Sequence, residues 1–157
     1  MGNKTLDGIK EYLSGRIAIA GVGNMLKSDD QIGPLLISRL QGKTSVCLFD
    51  CGEVPENYVQ PIIESKPETI IVVDAADWKG RVGELRLIER EEIDNFGFST
   101  HNASLRLFCD YLEKGLPGVN FIIIGVQAGR RDLMQPISSE VKVALDELVD
   151  FFTRSLK

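Results

Sequence analysis

The sequence predicts an α/β fold: a three-layer sandwich in which helices cover both faces of a mostly parallel, twisted five-stranded sheet. Two observations carry this. Four continuous apolar runs, "RIAIAGVGN" (16–24), "SVCLFDCG" (45–52), "TIIVVDAAD" (69–77) and "NFIIIGVQ" (120–127), each end in Gly, Asn, Asp or Gln. Such runs suit strands buried on both faces of a parallel sheet. Between them lie amphipathic stretches of helical period joined by short links, and that alternation builds layered α/β domains.

Taken in order, the opening stretch 4–14 reads as a short helix. "GPLLISRLQ" (33–41) is a helix with Pro34 in its first turn, where a missing N–H costs nothing. "PENYVQPIIESK" (55–66) is helical in pattern, interrupted by Pro61. "GELRLIE" (83–89) alternates, Leu85 and Leu87 against Arg86 and Ile88, and reads as a more exposed antiparallel edge strand. "NASLRLFCDYLEKG" (102–115) puts Leu105, Phe108, Cys109 and Leu112 on one face and stops at Gly115. "SSEVKVALDELVDFFTRSL" (138–156) opens with a serine cap and Glu140, then shows an i, i+3, i+4 apolar stripe. No repeat, low-complexity tract or linker divides the 157 residues, so a single domain over 1–157 is expected.

Composition excludes several classes. Net charge is -5 and no basic run exceeds Arg130-Arg131, which argues against a nucleic-acid partner. No apolar run is long enough to span a membrane, and "MGNKTLDGIKEYLSG" lacks the apolar core of a signal peptide. Three cysteines, Cys47, Cys51 and Cys109, lie in predicted core elements; an odd count there reads as reduced core thiols in a cytoplasmic protein. A monomer is the default for so small a chain.

In an open parallel sheet, ligands bind beyond the carboxyl ends of the strands. The first strand delivers Gly21, Gly23 and Asn24 to that edge, then Asp29 and Asp30 in "GVGNMLKSDDQIGP". The second delivers Asp50, Gly52 and Glu53; the third, Asp74 and Asp77; the last, Gln127. The single histidine, His101, stands just before the helix at 102–115. Converging carboxylates need a positive group between them. A divalent transition ion held by Asp and His is one answer, with nickel, zinc and manganese not separable by ligand type. A lysine is the other, and Lys27 is near in sequence. Singly, each residue also has a plainer reading: Asp29 and Asp30 as a helix cap, Asp50 as a turn cap, His101 as a structural hydrogen-bonding group, Asp77 and Glu53 as solvated.

Two familiar readings of the first loop fit poorly. A dinucleotide site would begin with Gly21-x-Gly23, but its third glycine is Leu26, and aspartates stand where a pyrophosphate would lie. A receiver-like phospho-acceptor would need a lysine ending the last strand, where Gln127 stands. The ordered set "GVGNMLKSDDQIGP", "DCGEVPEN", "IIVVDAADWKGRVGELRLI", "STHNASLRLFCDYL" and "IIIGVQ" resembles the nickel–iron hydrogenase maturation endopeptidases, over nearly the whole chain from about residue 16.

That resemblance implies an α/β endopeptidase that removes the C-terminal extension of a hydrogenase large-subunit precursor after nickel insertion. It implies metal recognition and catalysis at Asp30, Asp74 and His101. The nickel would be supplied by the precursor, at a site other divalent transition ions can enter. It leaves open an aspartic-type or a metal-assisted mechanism, and a nickel-binding docking module without hydrolysis. The family's first loop usually reads G-D-[DE]-G-x-G. Here Ser28 and Gln31 replace two of its glycines, which costs backbone freedom wherever φ must be positive.

Overall fold

The computed structural model describes residues 4–100 and 102–156. Among these residues five strands form one sheet: β1 (Ile17–Val22), β2 (Cys47–Gly52), β3 (Thr69–Ala76), β4 (Leu85–Ile88) and β5 (Asn120–Gln127). Their order is β2-β1-β3-β5-β4. β1 pairs in parallel with β2 and β3, and β3 with β5. β4 runs antiparallel to β5 at the edge, as its alternating sequence predicts.

Side chains alternate across a strand, and here the alternation sorts two cores. Ile17, Ile19, Ile71, Val73, Ile122 and Ile124 point to one face, where they pack with α1 (Lys4–Asp7), α2 (Ile32–Leu40) and α5 (Ser139–Ser155). Ala18, Ala20, Ile70, Val72 and Ile123 point to the other, covered by α3 (Val59–Glu64) and α4 (Asn102–Gly115). The expected three-layer sandwich therefore forms. The four apolar positions of α4 recur every three or four residues and are all buried. α2 lies close on β1 because glycine meets glycine. A Cβ on Gly33 would fall 2.2 Å from the Val22 carbonyl oxygen, and one on Gly21 2.3 Å from that of Gly33.

Several local expectations are corrected. The opening stretch divides into α1 and a 3₁₀ turn at Lys10–Tyr12. Pro61 does not break α3: a 3₁₀ turn covers Pro55–Tyr58 and the α-helix starts at Val59, so the proline falls in a first turn. β2 is an edge strand and only partly buried, which leaves Cys47 exposed rather than in the core. Cys51 and Cys109 are buried free thiols, and burial pushes each up to about 12. In β4 the buried pair is Leu85 and Ile88. Leu87 borders an open cleft with Gly8, Ile9 and Tyr12 that covers it incompletely. No helix among the described residues is long and apolar enough to cross a membrane.

Candidate active site

The loop after β1 is shaped by backbone contacts. Gly23 passes so close to the following turn that a Cβ there would lie 2.1 Å from the Asp30 carbonyl oxygen. The Asn24 N–H donates to that same oxygen at 2.8 Å. Ser28–Gln31 then form a 3₁₀ turn that runs directly into α2. Ser28 adopts φ +32°, so one of the two substituted glycine positions does require a positive φ. Gln31 does not: its φ of −75° is ordinary helical backbone. The buried Ser28 hydroxyl donates to the Asp132 carbonyl at 2.9 Å, a fixture glycine could not supply.

Asp29 and Asp30 are both buried, yet they do different work. Asp29 caps no helix of its own. Its Oδ2 accepts the backbone N–H groups of Gly129 (2.7 Å) and Arg130 (3.0 Å), and its Oδ1 that of Ser138 (2.7 Å). The Ser138 hydroxyl donates to the same carboxylate at 3.0 Å, so it is spent there and not on capping α5 as its position suggests. Asp29 thereby ties the first loop to both ends of the β5–α5 loop.

Asp30 faces a cation instead. Arg131 Nε stands 2.8 Å from Asp30 Oδ1, while the Asp30 side chain keeps only 5% of its surface exposed. The contact is close but poorly aligned, and neither atom completes a well-directed hydrogen bond. Arg131 Nη2 donates to the Gly97 carbonyl at 2.6 Å. Burial raises the Asp30 pKa, and the guanidinium opposes that rise. Sequence reasoning named a metal or a lysine as the neutralising charge and registered Arg130-Arg131 only as a short basic run. It missed Arg131 because a residue a hundred positions from Asp30 becomes its neighbour only when β5 lies beside β3.

Asp74 lies within β3, two residues before its end, on the face of Ile70 and Val72 and with no solvent exposure. Its Oδ2 accepts the Ser99 N–H at 3.2 Å, and Oδ1 accepts the Ser99 hydroxyl. Burial raises its pKa well above the ordinary carboxylate range. The Ser99 bonds oppose this, and the charge of Asp30 adds to it. Asp74 therefore feels the charge of Asp30, which the topology brings to the same sheet edge. Ser99 is a second residue missed from the sequence; its nearness to His101 in "FSTHNAS" was the available signal.

The remaining edge residues serve the scaffold. Gln127 accepts the N–H groups of Trp78 and Gly80, each at 3.0 Å, and donates to Asp77 at 3.0 Å. It is thus locked in the position a receiver would give its lysine. Asp77 is more than solvated: it also accepts the Lys79 N–H, and that bond and Gln127 hold its pKa low. Asp50 accepts from the Gly52 N–H at 3.2 Å, its plainer reading. Glu53 contributes its carbonyl to the Thr100 hydroxyl at 2.8 Å. His101 lies outside the described residues. Among the described residues no group of three His, Cys, Asp or Glu side chains is arranged to hold a metal ion.

The hydrogenase maturation protease family model matches residues 32–155, beginning two positions after Asp30. The chain belongs to this family. A Methanocaldococcus jannaschii protein named for the same family is 34% identical over 145 residues, spanning 86% of this chain and 85% of that one. The hydrogenase 3 maturation protease of Escherichia coli K12 is 32% identical over 128 residues, 80% and 81% of the two chains. The crystal structure of a [NiFe] hydrogenase maturation protease from Thermococcus kodakarensis superposes with a TM-score of 0.84 at 31% identity, covering 95% of this chain and 98% of that one. The family is one of peptide-bond hydrolases, and this member carries two buried carboxylates at the edge where the fold binds ligands.

Proposed function

We propose that this protease removes the C-terminal extension of a nickel–iron hydrogenase large-subunit precursor once nickel has been inserted. The supporting observation is the pair of buried carboxylates, Asp30 and Asp74, the second within the field of the first and the first beside a cationic side chain. A site of this charge has already accepted one positive group, so its donor set suits a cation. In this reading the nickel belongs to the substrate, and Asp30 and His101 contact it. Docking through the ion fixes the scissile bond relative to the carboxylates and turns a diffuse search into an oriented step.

Asp74 then moves the proton. Burial raises its pKa, which makes it a stronger base than an ordinary carboxylate. In the free chain solvent does not reach this carboxylate, so docking of the precursor has to bring the attacking water to it; Asp74 takes that water's proton as the water oxygen bonds to the scissile carbonyl carbon. It returns that proton to the leaving amine as the C–N bond breaks. Ser99 holds the carboxylate in place for both transfers. This is aspartic-type chemistry gated by the substrate's metal.

The test is to incubate the chain with nickel-loaded and nickel-free precursor and read intact masses. Loss of a C-terminal fragment from the loaded form alone, abolished by Asp74→Asn, is expected. An intact, properly loaded cognate precursor would overturn the reading and leave a docking module without hydrolysis.

A further inference from the structure

Resting on that reading, we propose that Arg131 is a built-in stand-in for the precursor's nickel: it occupies the cation position beside Asp30 until a loaded precursor displaces it. Arg131 is thereby a specificity-determining residue that keeps free metal ions out.

The contact is built to be broken. A guanidinium can grip a carboxylate with two parallel N–H···O bonds. Here the close contact is that of Nε with Asp30 Oδ1, at 2.8 Å and poorly aligned, while Nη2 is engaged by the Gly97 carbonyl. A single-point neutraliser is easier to exchange than a fork.

The side chain, not the loop, is the movable part. Asp29 accepts the N–H groups of Gly129 and Arg130, and the Arg130 carbonyl accepts the Asp29 N–H at 3.2 Å. The backbone entering Arg131 is therefore fixed. The Arg131 side chain is 31% exposed and opens to solvent, whereas that of Asp30 keeps only 5% of its surface exposed.

The charges also favour exchange. One guanidinium contacts Asp30 and exerts a weaker field on Asp74, while Lys27 adds a weaker field on Asp30. A divalent ion matches the pair better. A free ion must first displace Arg131 with nothing to offset the loss. An ion seated in a precursor arrives with the binding energy of the whole docked protein.

Equilibrium dialysis with nickel chloride tests this. If the open state is a minor fraction of the free chain, Arg131→Gln, which keeps a donor for Gly97, gains about tenfold in nickel affinity. Arg131→Lys, which keeps the charge, stays near the parent, and adding Asp30→Asn to Arg131→Gln removes the gain. Equal or weaker nickel binding by Arg131→Gln overturns the proposal, as does an equal gain in Arg131→Lys. The parent chain supplies a second readout that needs no variant. Millimolar zinc should leave hydrogen exchange at the Arg131 Nε–H unchanged, because the free ion is kept out, and an accelerated rate overturns the proposal. Failure here is separable from failure of the proposed function. A parent that cleaves loaded precursor while Arg131→Gln gains no nickel affinity sinks only this inference. A nickel gain without any cleavage sinks only the proteolytic reading.

Discussion

Ser99 donates both its backbone N–H and its hydroxyl to the carboxylate of Asp74, which solvent does not reach. These bonds favour the charged form, yet burial outweighs them and the Asp74 pKa stays raised. The chain therefore carries a carboxyl group whose ionisation opposes folding. A folded-state pKa above the unfolded one adds stability that is complete below about pH 3.9 and is lost as pH rises through the folded value.

The first prediction follows from that sign. Asp74→Asn removes the ionisation and should melt at a higher temperature than the parent at pH 8. The difference should shrink toward pH 4. Cleavage should be abolished throughout, a trade of activity for stability at one residue. Thermal melts across this range decide it: a difference that grows toward acid would reverse the assignment.

Ser99→Ala separates positioning from chemistry. Without the hydroxyl, Asp74 loses a bond that lowers its pKa, so the pKa rises further. The acid limb of the cleavage-rate profile should move to higher pH, and the rate at high pH should recover much of the parent value. Ser99→Thr, which keeps the hydroxyl, should restore the limb. A uniform fall in rate with an unmoved limb would leave Ser99 a merely structural residue.

Much of this arrangement was legible in the sequence because it depends on strand ends. Apolar runs mark buried strands, and the parallel topology then brings Asp30 and Asp74 to one edge whatever their chemistry. The exposed side of β2 was not legible. "SVCLFDCG" is as apolar as a central strand, and only the strand order places Cys47 at an edge. The division of labour between Asp29 and Asp30 was hidden for a related reason. Neighbours in a 3₁₀ turn point in different directions, one toward Ser138 and one toward Arg131. Both partners lie on a loop about a hundred residues away, which no local pattern reports.

Asp29→Ala should damage the fold rather than the chemistry directly. It removes the acceptor of the part-buried bonds from the N–H groups of Gly129, Arg130 and Ser138, and bonds to a charged group are each worth about 1.5–3 kcal/mol. A loss of about 3 kcal/mol or more in urea unfolding is expected. Asp30→Asn should cost far less, because the guanidinium it frees is already part-exposed. Comparable losses in the two variants would contradict their assigned roles.

Ser28 offers a finer test, since it combines a strained backbone with a useful side chain. Ser28→Ala keeps φ +32° and loses the donation to the Asp132 carbonyl, which should cost about 1 kcal/mol. Ser28→Gly loses the same bond but relaxes the backbone, a gain of about 0.5–1 kcal/mol that offsets most of the loss. The glycine variant should therefore unfold at a higher urea concentration than the alanine variant and close to the parent. The opposite order would mean that the Ser28 backbone carries no strain and that the loop gained its serine for the Asp132 contact alone.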